Sequence, residues 1–157
     1  CGTTSDSRQL SALSVFAPEV SMQVQTSQRQ PHEPLQNVEL FERAWDECIE
    51  LQEQPKQVWV GTALAALAEL PRYEIFVVQD QRIVGALVLA HDSWDVHVGP
   101  CMSVFTQYVL PEYRNSGVSL TLMRAAIRIT RSTGTAVLAY THRTAPWRYE
   151  TIYRRVA

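Results

Sequence analysis

The chain has 157 residues, 46% of them hydrophobic and 19% charged, which suits one ordinary globular domain with a real core. A formal net charge of −2 with no long basic run argues against a dedicated nucleic-acid binder, and no apolar run approaches the roughly 20 residues that span a bilayer. Cys1, Cys48 and Cys101 lie far apart, form no metal-ligand spacing and leave an odd count, so a reducing, cytoplasmic setting is the expectation.

Residues 1–21 are rich in Ser, Thr and Gln and are expected to form an N-terminal arm or linker. Leu10, Leu13, Val15 and Phe16 are available for local docking. A start at Cys1 fits a trimmed or processed chain and also a mature lipoprotein, with Met22 as an internal alternative start. The domain proper is placed at residues 22–157, with Met22–Thr26 as an edge strand.

From Gln36 to Gln54, Val38, Phe41, Trp45, Cys48 and Ile49 recur at helical spacing. Glu42, Arg43, Asp46, Glu47 and Glu50 take the other side. One amphipathic helix is predicted, stopped before Pro55, with Phe41 and Trp45 facing the core. A second helix is predicted over Thr62–Leu70, with Thr62 as its N-cap and Pro71 ending it.

Tyr73–Gln79 and Arg82–His91 are rich in strand formers and flank the polar pair Asp80-Gln81, which reads as an antiparallel hairpin. Gly85 within the second run marks a bulge or a close packing contact. His91, Asp92, Asp95 and His97 cluster before the next strand, Met102–Leu110. Their spacing matches no established metal site and none is assigned; His97 is a general-base candidate by its ordinary pKa, with a solvated loop role as the alternative.

A long helix is predicted over Gly117–Thr133, capped by Gly134 and followed by a strand at Thr135–Tyr140. Arg124, Arg128 and Arg131 make a stripe along it that is either solvated or in contact with a nucleotide. A short last helix is predicted through Tyr149, Ile152 and Tyr153. The order is α+β, and the strand–helix–strand crossover predicts that Met102–Leu110 and Thr135–Tyr140 are parallel neighbours.

The most informative stretch runs from Tyr108 to Leu120. A strand ends at Pro111, a polar turn carries Arg114, Asn115, Ser116 and Gly117, and the long helix begins at Val118 and Ser119. The free N–H groups and positive dipole end of such a helix start form an anion site, and Gly117 can adopt φ > 0 there. A phosphate-bearing ligand is the expectation.

The Arg114-x-x-Gly117-x-Ser119 run, led in by Val109-Leu110-Pro111-Glu112-Tyr113, resembles the Arg/Gln-x-x-Gly-x-Gly/Ala signature of the GNAT superfamily of acyl-CoA N-acetyltransferases. Ile83-Val84-Gly85-Ala86 resembles the second strand of that family's hairpin. Asn115 and Ser119 depart from the usual Gly and Gly/Ala.

The resemblance implies a mixed sheet with an antiparallel hairpin and a central splayed parallel pair, flanked by helices. It implies acetyl-CoA as cosubstrate, its diphosphate on Arg114, Asn115, Ser116, Gly117, Val118 and Ser119 and its pantetheine arm along Tyr108, Val109 and Leu110. It implies direct transfer of acetyl to an amine of a small molecule or a protein. Ile152-Tyr153 matches the front of the family's Leu-Tyr-x-x-x-Gly-Phe run, which gives Tyr153 the role of acid toward the leaving thiolate. Packing is its alternative role, and Tyr149 competes for the acid. No acidic residue on Met102–Leu110 offers a general base.

The family's last two strands are expected to be absent, through truncation or because a partner chain, a second copy or the N-terminal arm completes the sheet edge. A looser resemblance to short GNAT-like proteins of tailed phages implies a rival expectation, an inactive structural or interaction protein of a virion or host cytoplasm.

Overall fold

The computed structural model describes residues 21–36 and 38–157. The expected arm at residues 1–21 falls almost wholly outside the described residues. Six strands form one sheet in the order β1 to β6: β1 (Gln23–Arg29), β2 (Arg72–Gln79), β3 (Arg82–Asp95), β4 (Gly99–Val109), β5 (Val137–Ala145) and β6 (Arg148–Arg155). All neighbours are antiparallel except β4 and β5, which are parallel as the crossover predicts.

Among the described residues, three α-helices cover the sheet, α1 (Glu39–Glu47) and α2 (Lys56–Ala68) on one face and α3 (Val118–Ser132) on the other. Side chains alternate across a strand, so Leu87 and Leu89 of β3 pack toward Val118, Leu122, Ala125 and Ala126 of α3. Val88, between them, packs with Phe41 of α1 and Leu67 of α2.

The β2–β3 hairpin turns on Asp80 and Gln81, with φ of 50° and 62°. Two left-handed residues make the turn whose twist matches the flanking strands. Gly85 sits where an added Cβ would lie 2.6 Å from Val118 Cγ1 and 3.2 Å from Leu122 Cδ1, so its lack of a side chain lets α3 pack onto β3. Arg72 and Glu74 form a fully buried ion pair under the β1–α1 connection, with Arg72 also donating to the carbonyls of Glu33 and Leu70. Glu74 accepts from Gln36 N–H, so the buried charges hold that connection against β2.

Three of the predicted helices differ from the sequence expectation. The single helix over Gln36–Gln54 is α1 followed by a 3-10 turn at Ile49–Glu53, because Cys48 is extended (φ −102°, ψ 106°). The Gln52 amide donates to the carbonyls of Trp45 and Asp46, satisfying groups that the break leaves open. The second helix begins at Lys56, not after Thr62, with Pro55 as its N-cap, where the missing N–H costs nothing. The segment carrying Tyr149, Ile152 and Tyr153 is not a helix but strand β6, antiparallel to β5 along its whole length. Thr, Tyr, Ile and Arg there pair with a long β5 that reaches Ala145, and tertiary pairing overrides the helical spacing.

Candidate active site

β4 and β5 pair only at Met102–Leu138, Ser103–Ala139 and Val104–Tyr140. Beyond these positions both strands continue, to Val109 and Ala145, without pairing to each other. β3 still holds the far half of β4, through Ala86–Tyr108 and Gly85–Val109. A wedge therefore opens in the sheet, and its β4 wall from Val104 to Val109 is about 17 Å long at the usual strand rise.

The polar turn after β4 lies at the open end of this wedge. Pro111–Tyr113 is one 3-10 turn, Asn115 has φ 62° and Gly117 has φ 87°. Asn tolerates the left-handed region better than other side-chain-bearing residues, which accounts for Asn115 where Gly is frequent. Nothing lies within 4 Å of a Cβ built on Gly117, so its glycine is required by backbone conformation and the space beside it is open.

The first intrahelical bond of α3 is Thr121 N–H to Gly117 O, 2.9 Å. The N–H groups of Val118, Ser119 and Leu120 have no carbonyl one turn back to bond. With the dipole of a 15-residue helix behind them, they form a donor set for an anion. The side chains of Val118 and Leu110 are buried in the core, so these two residues can offer a ligand only their backbones. Gln107 Nε2 donates to Ser119 Oγ at 2.6 Å, tying the β4 wall to the first turn of α3.

The corner between α1 and the 3-10 turn reaches both sides of the wedge. On the β4 side Glu47 accepts from the Tyr108 hydroxyl and from Arg114 Nη2 at 2.6 Å, while Arg114 Nε donates to Val109 O at 3.1 Å. Arg114 also lies over the Tyr108 ring, 5.5 Å from its centre. Burial and then the Glu47 carboxylate push the Tyr108 phenol up to about 12.

On the β5–β6 side Glu50 receives Arg143 through Nε (2.5 Å) and Nη2 (2.9 Å), and the Tyr149 hydroxyl at 2.6 Å. The Glu50 side chain is only 5% exposed, and these bonds, Arg143 first, hold its carboxyl well below the usual carboxylate range.

Tyr153 pairs with Ala139, which pairs with Ser103, so the three stand side by side where the wedge closes. Its hydroxyl donates to Asp95 Oδ2 at 3.0 Å, and its ring is 6.1 Å from that of His97. Burial and then Asp95 raise the Tyr153 pKa. Asp95 is lowered, first by the backbone N–H of His97 at 2.8 Å and also by Tyr153.

The predicted loop residues Arg114 to Ser119 and the strand residues Tyr108 to Leu110 thus meet at one end of the wedge. Tyr153 stands at the other end, on a strand and not on the expected helix. His91 and Asp92 pair with each other at 2.7 Å, apart from the Asp95–His97 contact. Sequence reasoning missed Glu47, Glu50, Arg143 and Gln107. The two carboxylates read as the polar side of a helix, and their partners lie 61 to 99 residues away.

The model of the acetyltransferase (GNAT) family matches residues 36–148. PaiA N-acetyltransferase from Thermoplasma acidophilum, in complex with coenzyme A, aligns at a TM-score of 0.58 and 12% identity, over 80% of this chain and 82% of that one. An acetyltransferase of the same family from Brucella melitensis, in complex with acetyl-CoA, aligns at 0.56 and 11%, over 83% and 87%. An aminoglycoside N-acetyltransferase in complex with CoA aligns at 0.57 and 14%, over 84% and 83%. At these identities the likeness is one of fold. No curated protein matches the sequence.

Proposed function

Since this chain belongs to the GNAT acetyltransferase family, we propose that it transfers an acetyl group from acetyl-CoA to an amine. The observation that carries this reading is the wedge between β4 and β5, with the open donors of α3 at its wide end. The residues present fit the cosubstrate. Backbone N–H groups from Asn115 to Ser119 suit a diphosphate, and the open space at Gly117 admits it. The side of β4 that faces the wedge beyond Val104 has no strand partner and suits the amide-bearing pantetheine arm, which would lie along Tyr108, Val109 and Leu110 and run toward the closed end.

When bound, acetyl-CoA supplies an activated acetyl group as a thioester. The chain's own part is to hold that group between two strands, shield it from water and supply a proton to the sulfur. Tyr153 is the proposed donor. It stands at the closed end of the wedge, opposite the end that carries the phosphate loop, and keeps its proton at neutral pH. Its bond to Asp95 fixes the hydroxyl in the absence of ligand.

The test is thermal and chemical. Acetyl-CoA in the millimolar range should raise the melting temperature, since a ligand of the folded state stabilises it by mass action. A panel of primary amines should then release free thiol from acetyl-CoA in the presence of this chain. No thermal shift and no thiol release would refute the reading.

A further inference from the structure

Arg114 holds two positions at once. It is the arginine of the phosphate-loop motif, and its guanidinium is already paired with Glu47 of α1. Its Nε is fixed on Val109 O, so the fork can swing little without leaving β4. Glu47 neutralises the cation of the turn that leads into the open donors of α3 and places a carboxylate beside that turn. The pair is partly exposed, at 45% and 31% for the two side chains, so it is weak enough to be displaced.

We propose that Glu47 is an internal competitor for Arg114, and that the diphosphate of the cosubstrate takes the arginine from it. This inference rests on the function proposed above and deepens it. The exchange couples the two sides of the wedge. Glu47 ends α1, and the extended Cys48 joins it to the turn that carries Glu50, which is bound to Arg143 and Tyr149. Losing the Arg114 contact leaves the Tyr108 hydroxyl as Glu47's remaining tie to the β4 side. The corner therefore loosens when the cosubstrate arrives, and the acceptor side opens second. By linkage, whatever holds the corner closed must weaken cosubstrate binding by the same factor.

The experiment measures the affinity of coenzyme A and of pantetheine, which lacks the phosphates, by calorimetry on wild type and Glu47→Gln. The amide keeps the shape of the side chain and its acceptor for Tyr108. The variant should bind coenzyme A about 1.5- to 5-fold more tightly, the range of an exposed ion pair, and pantetheine unchanged. Equal or weaker binding of coenzyme A by the variant, with the wild type binding, overturns the exchange and leaves the function standing. A wild type that binds no coenzyme A removes both.

Should the variant not fold, amide exchange on the wild type decides the matter. Coenzyme A, and not pantetheine, should speed exchange across the last turn of α1 and the 3-10 turn. Unchanged or slower exchange there overturns the proposal.

Discussion

Arg143 of β5 meets Glu50 with two bonds, 2.5 and 2.9 Å, across 93 residues of chain. This contact closes the β5 side of the wedge, as Arg114 and Glu47 close the β4 side. Each carboxylate also takes a tyrosine hydroxyl, so one short corner of chain reaches both sides of the sheet where β4 and β5 no longer pair with each other.

The Glu50 contact gives a pH-dependent stability. Its folded pKa lies below the unfolded value of about 4.3, so the contribution is complete above that pH and is lost as pH falls through the folded value. Glu50→Gln should lower the melting temperature at pH 7, and the gap to wild type should shrink steadily below pH of about 4. Thermal scans of both proteins from pH 7 to 3 check this.

Gly85 should not tolerate a methyl group. Gly85→Ala places Cβ 2.6 Å from Val118 Cγ1, in the first turn of α3, and overpacking of this kind costs about 1–3 kcal/mol. The displaced helix start should also weaken coenzyme A binding. Denaturant melts and calorimetry on the same variant report the two effects.

Gly117 is a separate case, since space is open there and only its φ of 87° is demanding. Gly117→Val should cost about 1–3 kcal/mol through backbone strain and should lose most coenzyme A affinity. Gly117→Asn should be the milder change, because Asn enters the left-handed region at lower cost. Equal affinity of Gly117→Val and wild type for coenzyme A would remove the loop from the site.

Tyr153→Phe keeps the ring and removes the hydroxyl bonded to Asp95. Turnover should fall about a hundredfold, the usual contribution of a general acid, with coenzyme A affinity nearly unchanged. Steady-state rates against acetyl-CoA concentration separate the two. If the rate survives, the same measurement on Tyr149→Phe tests the other phenol of β6, whose hydroxyl is held by Glu50.

Local chemistry wrote part of this protein directly. The Asp80-Gln81 turn, the need for a small residue at Gly85, the left-handed start of α3 at Gly117 and its Gly134 end were legible because each depends on a few adjacent residues. The parallel pairing of β4 and β5 was legible too, since a helical crossover of that length admits little else. Gly85 and Gly117 also belong to the motifs that carried the likeness to the family.

Tertiary structure decided the rest. Tyr149, Ile152 and Tyr153 have helical spacing, but a free β5 edge offered eight residues of ladder, and paired backbone outweighs a short amphipathic pattern. The helix through Cys48 was broken so that Glu47 and Glu50 could reach Arg114 and Arg143 on opposite sides of the wedge. No sequence window contains those pairs. Their partners become neighbours only once the sheet has opened between β4 and β5, and a charge on a helix shows no trace of what will face it across the fold.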